Sequence, residues 1–461
     1  MIELTSSGIR LAEPSAAAAG PAAGAADQDL RAWLRERRAA DRSVVRRIPF
    51  AELRSWSFEP GTGALRHDSG RFFSVEGLCV HEAFRPHRAW AQPIIDQPEV
   101  GILGILVKDF GGTLHCLMQA KMEPGNPGLV QLSPTVQATL SNYSRVHRGA
   151  AVPYLQYFTG PDRGRVVVDV EQPEHGAWFL GKKNRNMVVE AAGPVPEHED
   201  FRWVRIEQLA GLLREDNAVN MDARTVLSCL PVTTSGARGD GFRAGLLRSF
   251  ADRGDVHGAA GPAAWIAAIR RRRPVRPHRV PLAGLSGWYA TDSEIAREDR
   301  RFFTVIAVDV QADRRETACW TQPLFATTGL GLAAFLVRRF RGVPHVLAHA
   351  RAEAGIAGGV AIGPTVQCVP ANHDVPPRYV DAVLGADPSA VRYCAVHSEE
   401  GGRFHRSETR YVVVEAGPEV PDEQPPDFRW VTLGELSELL LRTDYVNVQA
   451  RTLIACLKLF S

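Results

Sequence analysis

The chain has 461 residues, of which 45% are hydrophobic and 23% are charged, and its formal net charge is +2. The length predicts two or three domains, and the composition is typical of a globular protein. The small net charge argues against nucleic-acid binding through a general basic surface, and no segment approaches the ~18 apolar residues of a membrane-spanning helix.

The N-terminal segment and the cysteines indicate the cellular compartment. Residues 1–26 are rich in Ala, Gly and Pro, lack the features of a signal peptide, and are predicted to be a disordered tail. The cysteines are scattered and never spaced as Cys-x-x-Cys, which predicts free, mostly buried thiols and argues against a zinc or disulfide framework. We therefore expect a cytoplasmic protein.

The first half begins with a helix and continues with strands. Asp27 is predicted to cap a helix that runs to about Ala40. Short β-branched segments predict strands at Gly101–Val107, Leu114–Met118 and Val166–Val170. Amphipathic segments predict two closing helices, at Glu207–Leu213 and Asp222–Leu230. The predicted fold class is α+β.

The second half of the chain repeats the first. R-F-F-S-V at 71–75 returns as R-F-F-T-V at 301–305, and F-R-W-V at 201–204 returns at 428–431. A repeat of about 190 residues is too long for a solenoid unit, so each half is predicted to be a whole domain. The predicted division is a first repeat at 27–232, a linker at 233–261 with a short helix at Phe242–Phe250, and a second repeat at 262–461.

The tryptophans fall into two groups. Those in apolar surroundings are predicted to be core residues: Trp56, Trp203, Trp288 and Trp430. Trp90 and Gln92 stand together at a strand end and are repeated as Trp320 and Gln322. A role in stacking on a nucleotide base is considered for this pair.

A polar stretch at 119–148 is bracketed by apolar strands and contains the main candidates for a functional site. The alternative is an ordinary surface loop with Pro and Gly. Part of the stretch returns in the second half as A-H-A-R-A-E-A-G at 348–355 and G-P-T-V-Q at 363–367. Its side chains suit an anionic, hydroxyl-rich ligand; the candidates are Gln119, Lys121, Glu123, Asn126, Gln131, Ser133, Thr135, Gln137, Asn142, Tyr143, Arg145 and His147.

Common catalytic motifs are missing from the sequence. The pattern at 203–213 and 430–440 resembles the C-terminal part of a Nudix-type domain, but the Nudix helix with its paired glutamates is absent, which argues against metal-assisted diphosphate hydrolysis. There is also no Walker A loop, no dinucleotide-binding G-x-G-x-x-G, no G-x-S-x-G and no H-E-x-x-H.

Several longer motifs resemble those of the NDP-hexose 2,3-dehydratases of deoxysugar biosynthesis. They lie at Gln119–Asn126, Gln131–Thr139, Ser141–Gly149 and Trp178–Glu190. The resemblance implies two tandem Nudix-like domains with mixed sheets flanked by helices, no metal or cofactor, and a homodimer. It implies a dTDP-linked 4-keto-6-deoxyhexose as substrate and functional coupling to a sugar 3-ketoreductase. One departure is Pro173-Glu174-His175-Gly176, where the family pattern is S-E-Q-G.

The reaction implied by this resemblance removes the C3 proton of dTDP-4-keto-6-deoxy-D-glucose, expels the C2 hydroxyl and gives a 3,4-diketo-2,6-dideoxy sugar. Glu123 or Glu174 is the candidate base, and Lys121 the enolate stabiliser or proton donor. Tyr143 and His147 are alternative acids. The diphosphate candidates are Arg145, Lys182, Lys183 and Arg185, although Lys182 and Lys183 also fit a solvated turn.

Differences between the two halves predict where catalysis occurs. Gln119-Ala-Lys121 has become His349-Ala-Arg351 in the second half, so the first repeat is predicted to be catalytic and the second degenerate. The predicted pocket lies in the first half alone and is lined by Trp90, Gln119, Lys121, Glu123, Gln131, Tyr143 and Arg145. Two other functions stay open, a nucleotide-sugar pyrophosphohydrolase and a non-catalytic nucleotide-sugar binding module of Nudix type.

Overall fold

The computed structural model describes residues 2–5, 8–11, 21–82, 89–139, 152–161, 163–234, 239–252, 254, 261–315 and 317–460. Strands up to residue 234 are β1 (Ile2–Thr5), β2 (Gly8–Leu11), β3 (Val44–Ile48), β4 (Trp56–Phe58), β5 (Leu65–His67), β6 (Ser74–Glu82), β7 (Ala89–Asp96), β8 (Gly101–Asp109), β9 (Leu114–Met122), β10 (Val130–Ser133), β11 (Val136–Ala138), β12 (Arg165–Pro173), β13 (Lys183–Glu190), β14 (Phe201–Arg205) and β15 (Val232–Thr234).

The later strands are β16 (Val275–Val280), β17 (Trp288–Ala290), β18 (Glu294–Arg297), β19 (Phe303–Gln311), β20 (Cys319–Thr327), β21 (Gly331–Phe340), β22 (Val343–Ala352), β23 (Val360–Gly363), β24 (Val366–Cys368), β25 (Val391–Ser398), β26 (Glu408–Glu415) and β27 (Phe428–Val431). The α-helices are Pro21–Ala40, Ile206–Leu212, Met221–Ser228, Phe242–Ala251, Pro262–Arg272, Val380–Leu384, Leu433–Leu439 and Val448–Phe460. Single 3-10 turns lie at Phe50–Glu52, Leu155–Tyr157, Pro370–Asn372 and Pro388–Ala390.

The N-terminal region departs from the sequence prediction. The first helix begins at Pro21 rather than at Asp27, since proline fits the first turn of a helix and the alanines that follow favour helix formation. β2 pairs in parallel with β15, and β1 pairs with β2. The prediction of a disordered tail over 1–26 is therefore wrong for the residues in these two strands and in the first turn of the helix.

Each half contains a seven-stranded mixed sheet with the same strand order. In the first half the order is β10-β9-β8-β13-β12, with β11 on β8 and β14 on β9; in the second it is β23-β22-β21-β26-β25, with β24 on β21 and β27 on β22. One pair in each sheet is parallel, β8 with β13 and β21 with β26. The α+β class and the duplication are confirmed.

The two halves exchange strands in their smaller sheets. β16 of the second half pairs with β6 of the first, and β3 of the first half pairs with β19 of the second. The linker predicted at 233–261 includes the helix Phe242–Ala251, whose Leu246, Leu247 and Phe250 are buried in the main core. The halves are thus joined by shared sheets and a shared core.

Two loops at the junction approach each other too closely for any residue but glycine. The Gly125 N–H donates to Gly401 O at 2.7 Å, and the Gly355 N–H donates to Gly176 O at 2.7 Å. A Cβ on Gly125 would lie 1.8 Å from Phe404 O, and a Cβ on Gly355 would lie 1.6 Å from a backbone oxygen. These reciprocal contacts place a loop of each half beside the polar stretch of the other.

The main core is also shared, because the helices Met221–Ser228 and Val448–Phe460 both contribute to it. Trp56, Trp288 and Trp430 are buried, as predicted, whereas Trp203 is half-buried beside Phe110. Of the seven free cysteines only Cys116, Cys229 and Cys456 are buried, so the prediction of mostly buried thiols is wrong. Within the described part of the chain, no helix is long and apolar enough to cross a membrane.

Arg224 is the basis of a stability prediction. It is fully buried, and its guanidinium donates to Val219 O at 2.5 Å and, across the junction, to Ser398 O at 2.7 Å. We expect Arg224→Ala to lower the free energy of unfolding by about 2–6 kcal/mol, since each buried carbonyl left unsatisfied costs about 1–3 kcal/mol. Urea unfolding measures this, and exposed Arg410→Ala, expected within about 0.5 kcal/mol of wild type, is the control. Equal stability of both variants would contradict the role of Arg224.

Candidate active site

A partly open cavity of about 470 Å³ lies on the seven-stranded sheet of the first half. Its base is formed by side chains of four strands: Leu103 on β8, Lys121 on β9, Gln137 on β11 and Asn184 on β13. Further lining residues are Trp56, His67, Phe72, Phe73, Gln97, Glu99, Glu123, Glu174, Phe179, Lys182 and Asp222, and, from the second half, Arg315, Trp320, Gln322, Glu400 and Arg403.

The cavity on the first repeat is also lined by residues of the second half, which the sequence prediction did not include. The exchange of strands brings the β19–β20 hairpin over the first repeat, and the contact of Gly125 with Gly401 brings in the loop that carries Glu400. The cavity is therefore complete only when both halves are folded.

Lys121 and Glu123 lie together at the end of β9. Both are buried, and Lys121 Nζ is 3.6 Å from Glu123 Oε1 and donates to Gln137 O at 3.0 Å. Glu123 also accepts from Gln137 Nε2 at 3.2 Å and from Arg315 at 2.9 Å. Burial alone would raise the pKa of Glu123, but Arg315 and Lys121 hold it below its ordinary value. Glu123 is therefore an ionised carboxylate whose Oε1 is bonded to Gln137 and Arg315 and lies near Lys121.

Glu174 and Lys182 flank the turn between β12 and β13. Glu174 Oε1 accepts from Asn184 Nδ2 at 2.7 Å, while its Oε2 is buried without a hydrogen-bond partner. Lys182 Nζ donates to Glu99 O, and burial lowers the pKa of this lysine. Glu174 thus presents a carboxylate oxygen that is not engaged by the protein.

Asp222 and Glu400, which sequence reasoning missed, come from opposite halves. Burial raises the pKa of Asp222 well above its ordinary value, and Glu400 is its strongest charged neighbour. Burial raises the pKa of Glu400 to about 7, against the opposing effect of Arg403 and together with the repulsion of Glu123 and Glu174. These two side chains therefore hold protons near neutral pH.

Aromatic side chains and arginines form the remaining wall. The guanidinium of Arg403 lies 4.1 Å from the ring centre of Phe73 and its Nε donates to Gln97 at 3.1 Å. Trp320 donates to Gln322 at 2.7 Å, and Gln322 donates to Gly402 O at 2.7 Å. With Asp222 and Glu400 protonated, the described lining residues include four basic side chains and three other carboxylates, which leaves a small excess of positive charge. Such a wall suits an anion that carries an aromatic ring.

Only some of the residues predicted from sequence line this cavity: Lys121, Glu123, Gln137, Glu174 and Lys182. Lys183 and Arg185 alternate with Asn184 along β13 and face away from it, paired with Asp444 and Asp169. Trp90 and Gln92 lie elsewhere, because Trp90 packs against the cluster that contains Ala354 of the second repeat. Their second-half equivalents Trp320 and Gln322 occupy the wall instead. Lys183, Arg185, Trp90 and Gln92 are therefore not among the residues that line this cavity.

The other predicted binding residues support the local structure. Gln119 borders a separate small depression beside Arg37 and Asp200. Four of the predicted residues are buried and hydrogen-bonded within the protein. Asn126 donates to Leu129 O, and Ser133 donates to Gln131 O. The Gln131 side chain accepts from Ser398, and Thr135 accepts from the Leu106 N–H. Asn142, Tyr143, Arg145 and His147 lie outside the described residues.

The equivalent cluster of the second half has different chemistry. Asp222, Glu400 and Glu174 correspond in the repeat to Gln449, His175 and Glu399. Gln449 Nε2 lies 3.0 Å from His175 Nδ1, and His175 Nε2 lies 3.1 Å from Glu399 Oε2. Burial alone would raise the pKa of Glu399, but His175 and Thr409 hold it below its ordinary value. The cluster of Asp222 and Glu400 therefore contains protonated carboxyl groups, whereas in its counterpart Gln449, His175 and Glu399 are buried and contact one another.

A duplicated α+β chain whose cavity combines protonated carboxyls, a carboxyl oxygen without a hydrogen-bond partner and a buried ammonium has the groups of an enzyme that moves protons on an anionic substrate. The family profile described as NDP-hexose 2,3-dehydratase matches residues 27–230 and again residues 260–457. The chain belongs to this family, and the double match agrees with the repeat.

Three curated relatives have closely similar sequences. Each is named dTDP-4-dehydro-6-deoxy-alpha-D-glucopyranose 2,3-dehydratase. The protein of Saccharopolyspora spinosa is 48% identical over 441 residues, covering 93% of this chain and 90% of the relative. That of Amycolatopsis orientalis is 49% identical over 440 residues with the same coverage, and that of Streptomyces violaceoruber is 47% identical over 434 residues, covering 93% and 96%.

Proposed function

We propose that this protein is a dTDP-4-keto-6-deoxy-D-glucose 2,3-dehydratase. The observation that carries the proposal is the position of the buried Lys121 in the cavity, among carboxyl groups of opposite protonation state. The names of the three relatives support this substrate. The product is a 3,4-diketo-2,6-dideoxy sugar nucleotide.

The chemistry proceeds through an enolate. The C4 ketone acidifies the C3 hydrogen, so a base removes it and negative charge develops on the C4 oxygen. Expulsion of the C2 hydroxyl as water forms an enol between C2 and C3, which takes a proton at C2 and becomes the C3 ketone. The electrons stay within the substrate, so the route calls for no redox cofactor. Lys121 is proposed to donate to the C4 oxygen as its charge develops.

Glu174 is the better of the two candidate bases. Its Oε2 is buried without a hydrogen-bond partner in the protein, and Glu174 is one of the residues that line the cavity. Glu123, in contrast, is already bonded to Arg315 and Gln137, and its lowered pKa makes it a weaker proton acceptor. We assign proton abstraction to Glu174 and the orientation of Lys121 to Glu123.

Glu400 is proposed as the acid that protonates the departing C2 hydroxyl, with Asp222 as its neighbour. A carboxyl group with a pKa of about 7 is half protonated at neutral pH, which suits proton transfer to a leaving group. Arg403, Arg315 and Lys182 are proposed to hold the diphosphate, and Trp320 or Trp56 to contact the base. Tyr143, His147, Asn142 and Arg145 stay proposals from sequence alone.

The direct test is incubation of the purified protein with dTDP-4-keto-6-deoxy-D-glucose and a sugar 3-ketoreductase that traps the unstable diketone. We expect loss of the C2 oxygen, incorporation of one solvent proton at C2, and no loss of rate in EDTA. Release of dTMP, abolished by EDTA, would support a pyrophosphohydrolase instead. Saturable binding without any product would support a non-catalytic binding module.

The oligomeric state, the partner enzyme and the cellular location are also part of the proposal. We infer a homodimer and coupling to a sugar 3-ketoreductase from the family resemblance, and a cytoplasmic location from the free thiols. Sedimentation of the purified protein tests the dimer.

A prediction from the degenerate half concerns Arg351 and His373. Arg351 is the second-half counterpart of Lys121, and His373 is an exposed residue of the same half; neither lines the cavity. We expect Arg351→Ala and His373→Ala to retain kcat within about threefold of wild type, since surface or distant changes leave transition-state contacts intact. Steady-state kinetics measure this. A loss as large as that of a Lys121 variant in folded protein would place turnover in the second half.

A further inference from the structure

A second cluster of reactive side chains lies where the two halves share a sheet. Cys79 and His81 are two residues apart on β6, so both project from the same face of the strand. β16 runs antiparallel beside β6, and His278 is directly opposite Cys79. The cluster therefore combines residues of both halves, and it does not line the cavity of the proposed active site.

The separations of the three side chains match those of metal ligands. Their sulfur and nitrogen atoms all lie within 4.8 Å of one another, and Cys79 Sγ is 3.6 Å from His81 Nε2. A tetrahedral zinc ion, with Zn–S of about 2.3 Å and Zn–N of about 2.0 Å, separates sulfur from nitrogen by about 3.6 Å. Two imidazole nitrogens on such an ion are about 3.3 Å apart, so the separation of the two nitrogens needs to shorten by no more than about 1.5 Å.

The side chains have room to make that movement. The rings of His81 and His278 are stacked with their centres 5.1 Å apart, and both residues are exposed while Cys79 is half-buried. Rotation of an exposed imidazole changes no core packing. Exposure also leaves a fourth coordination position open to water.

We propose that Cys79, His81 and His278 bind a zinc ion that joins β6 of the first half to β16 of the second. Thiolate sulfur and imidazole nitrogen are ligands that zinc prefers. On binding, the Cys79 thiol loses its proton to solvent and each histidine binds as a neutral ring through one nitrogen, with no change of oxidation state. The site is separate from the dehydratase cavity and does not depend on the proposed function.

The test uses the full-length protein, freed of metal with EDTA and then dialysed. Competition with a chromophoric chelator measures the zinc affinity, and substitution with Co²⁺ reports a sulfur ligand through thiolate-to-metal charge-transfer absorption. We expect one zinc ion per chain and a rise of Tm on adding zinc, because a ligand that binds the folded state stabilises it. Cys79→Ser should remove the charge-transfer band, and His278→Ala should weaken binding by at least about 10–100-fold, the loss typical even for residues behind the ligands.

Matched controls are Cys394→Ser, an exposed thiol on β25, and His373→Ala, an exposed imidazole. Both should bind zinc like the wild type. Circular dichroism and Tm without metal show whether each variant is folded. We expect all of them to fold, because none of the substituted side chains is fully buried. Absence of tight zinc binding, or binding that Cys79→Ser and His278→Ala leave unchanged, would overturn the proposal in favour of a thiol–imidazole hydrogen bond beside two stacked rings.

Discussion

Replacing Lys121 by alanine is expected to lower kcat by a factor on the order of 10²–10³, the cost of removing one donor to an oxyanion that forms in the transition state. The ammonium is buried and held by Glu123 and Gln137 O, so it is fixed before substrate arrives. KM should change little, because the C4 oxygen gains most of its charge only as the C3 proton leaves.

Lys121→Arg separates two roles for the same charge. If Lys121 transfers a proton or must fit closely to the C4 oxygen, the bulkier guanidinium should be nearly as impaired as alanine. If the lysine only attracts the diphosphate, arginine should restore much of the activity, and alanine should raise KM more than it lowers kcat. Arg351→Ala is the matched control in the other repeat. Wild-type kcat in folded Lys121→Ala would remove this residue from the mechanism.

The duplication and many of the strands and helices could be predicted from the sequence, because short segments of residues carry the signal for each of them. Short β-branched segments marked β8, β9 and β12, and the helices found at Ile206–Leu212 and Met221–Ser228 begin within one residue of their predicted positions. These elements depend on neighbours a few residues away, so local patterns are sufficient. The exchange of β3 and β16 depends on pairings between distant segments, for which no local pattern exists.

The candidate site was predicted only in its local part for the same reason. Lys121, Glu123 and Gln137 are brought together within one sheet by short connections. Glu400 and Arg403 reach the cavity from the other half, through a loop contact that no spacing in the sequence reveals. A signal for Glu400 did exist, because its counterpart in the first half is His175, a difference of the same kind as the change from Lys121 to Arg351.

The proposed zinc ligands are a second example of residues that the sequence alone could not bring together. Scattered cysteines argued against a zinc framework, and that argument holds for sites built from closely spaced ligands. Cys79 and His81 form a close pair, but the third ligand, His278, is supplied by a strand of the other repeat. Ligands separated by most of a domain are visible only after strand register is known.

Exchanging Glu400 for glutamine is expected to lower kcat by a factor on the order of 10² or more, the contribution typical of a positioned general acid. Glutamine keeps the size of the side chain and can still donate a hydrogen bond, but it cannot give a proton to the departing C2 hydroxyl. The loss should appear in kcat, since the side chains proposed to bind the diphosphate are Arg403, Arg315 and Lys182, which the substitution leaves in place.

The pH dependence distinguishes a proton donor from a structural residue. Glu400 has a pKa of about 7, so its acid form is populated below this pH and is depleted above it. The wild-type rate should therefore fall as pH rises through about 7, and this limb should be missing from the residual activity of Glu400→Gln. Glu399→Gln is the neighbouring control: Glu399 is bonded to Thr409 and faces His175 rather than the cavity, so its loss should lower Tm and preserve the limb. If Glu400→Gln keeps both the wild-type kcat and the wild-type pH profile, Glu400 is not the acid, and proton transfer to the C2 hydroxyl must be assigned to another candidate, Lys121, Tyr143 or His147.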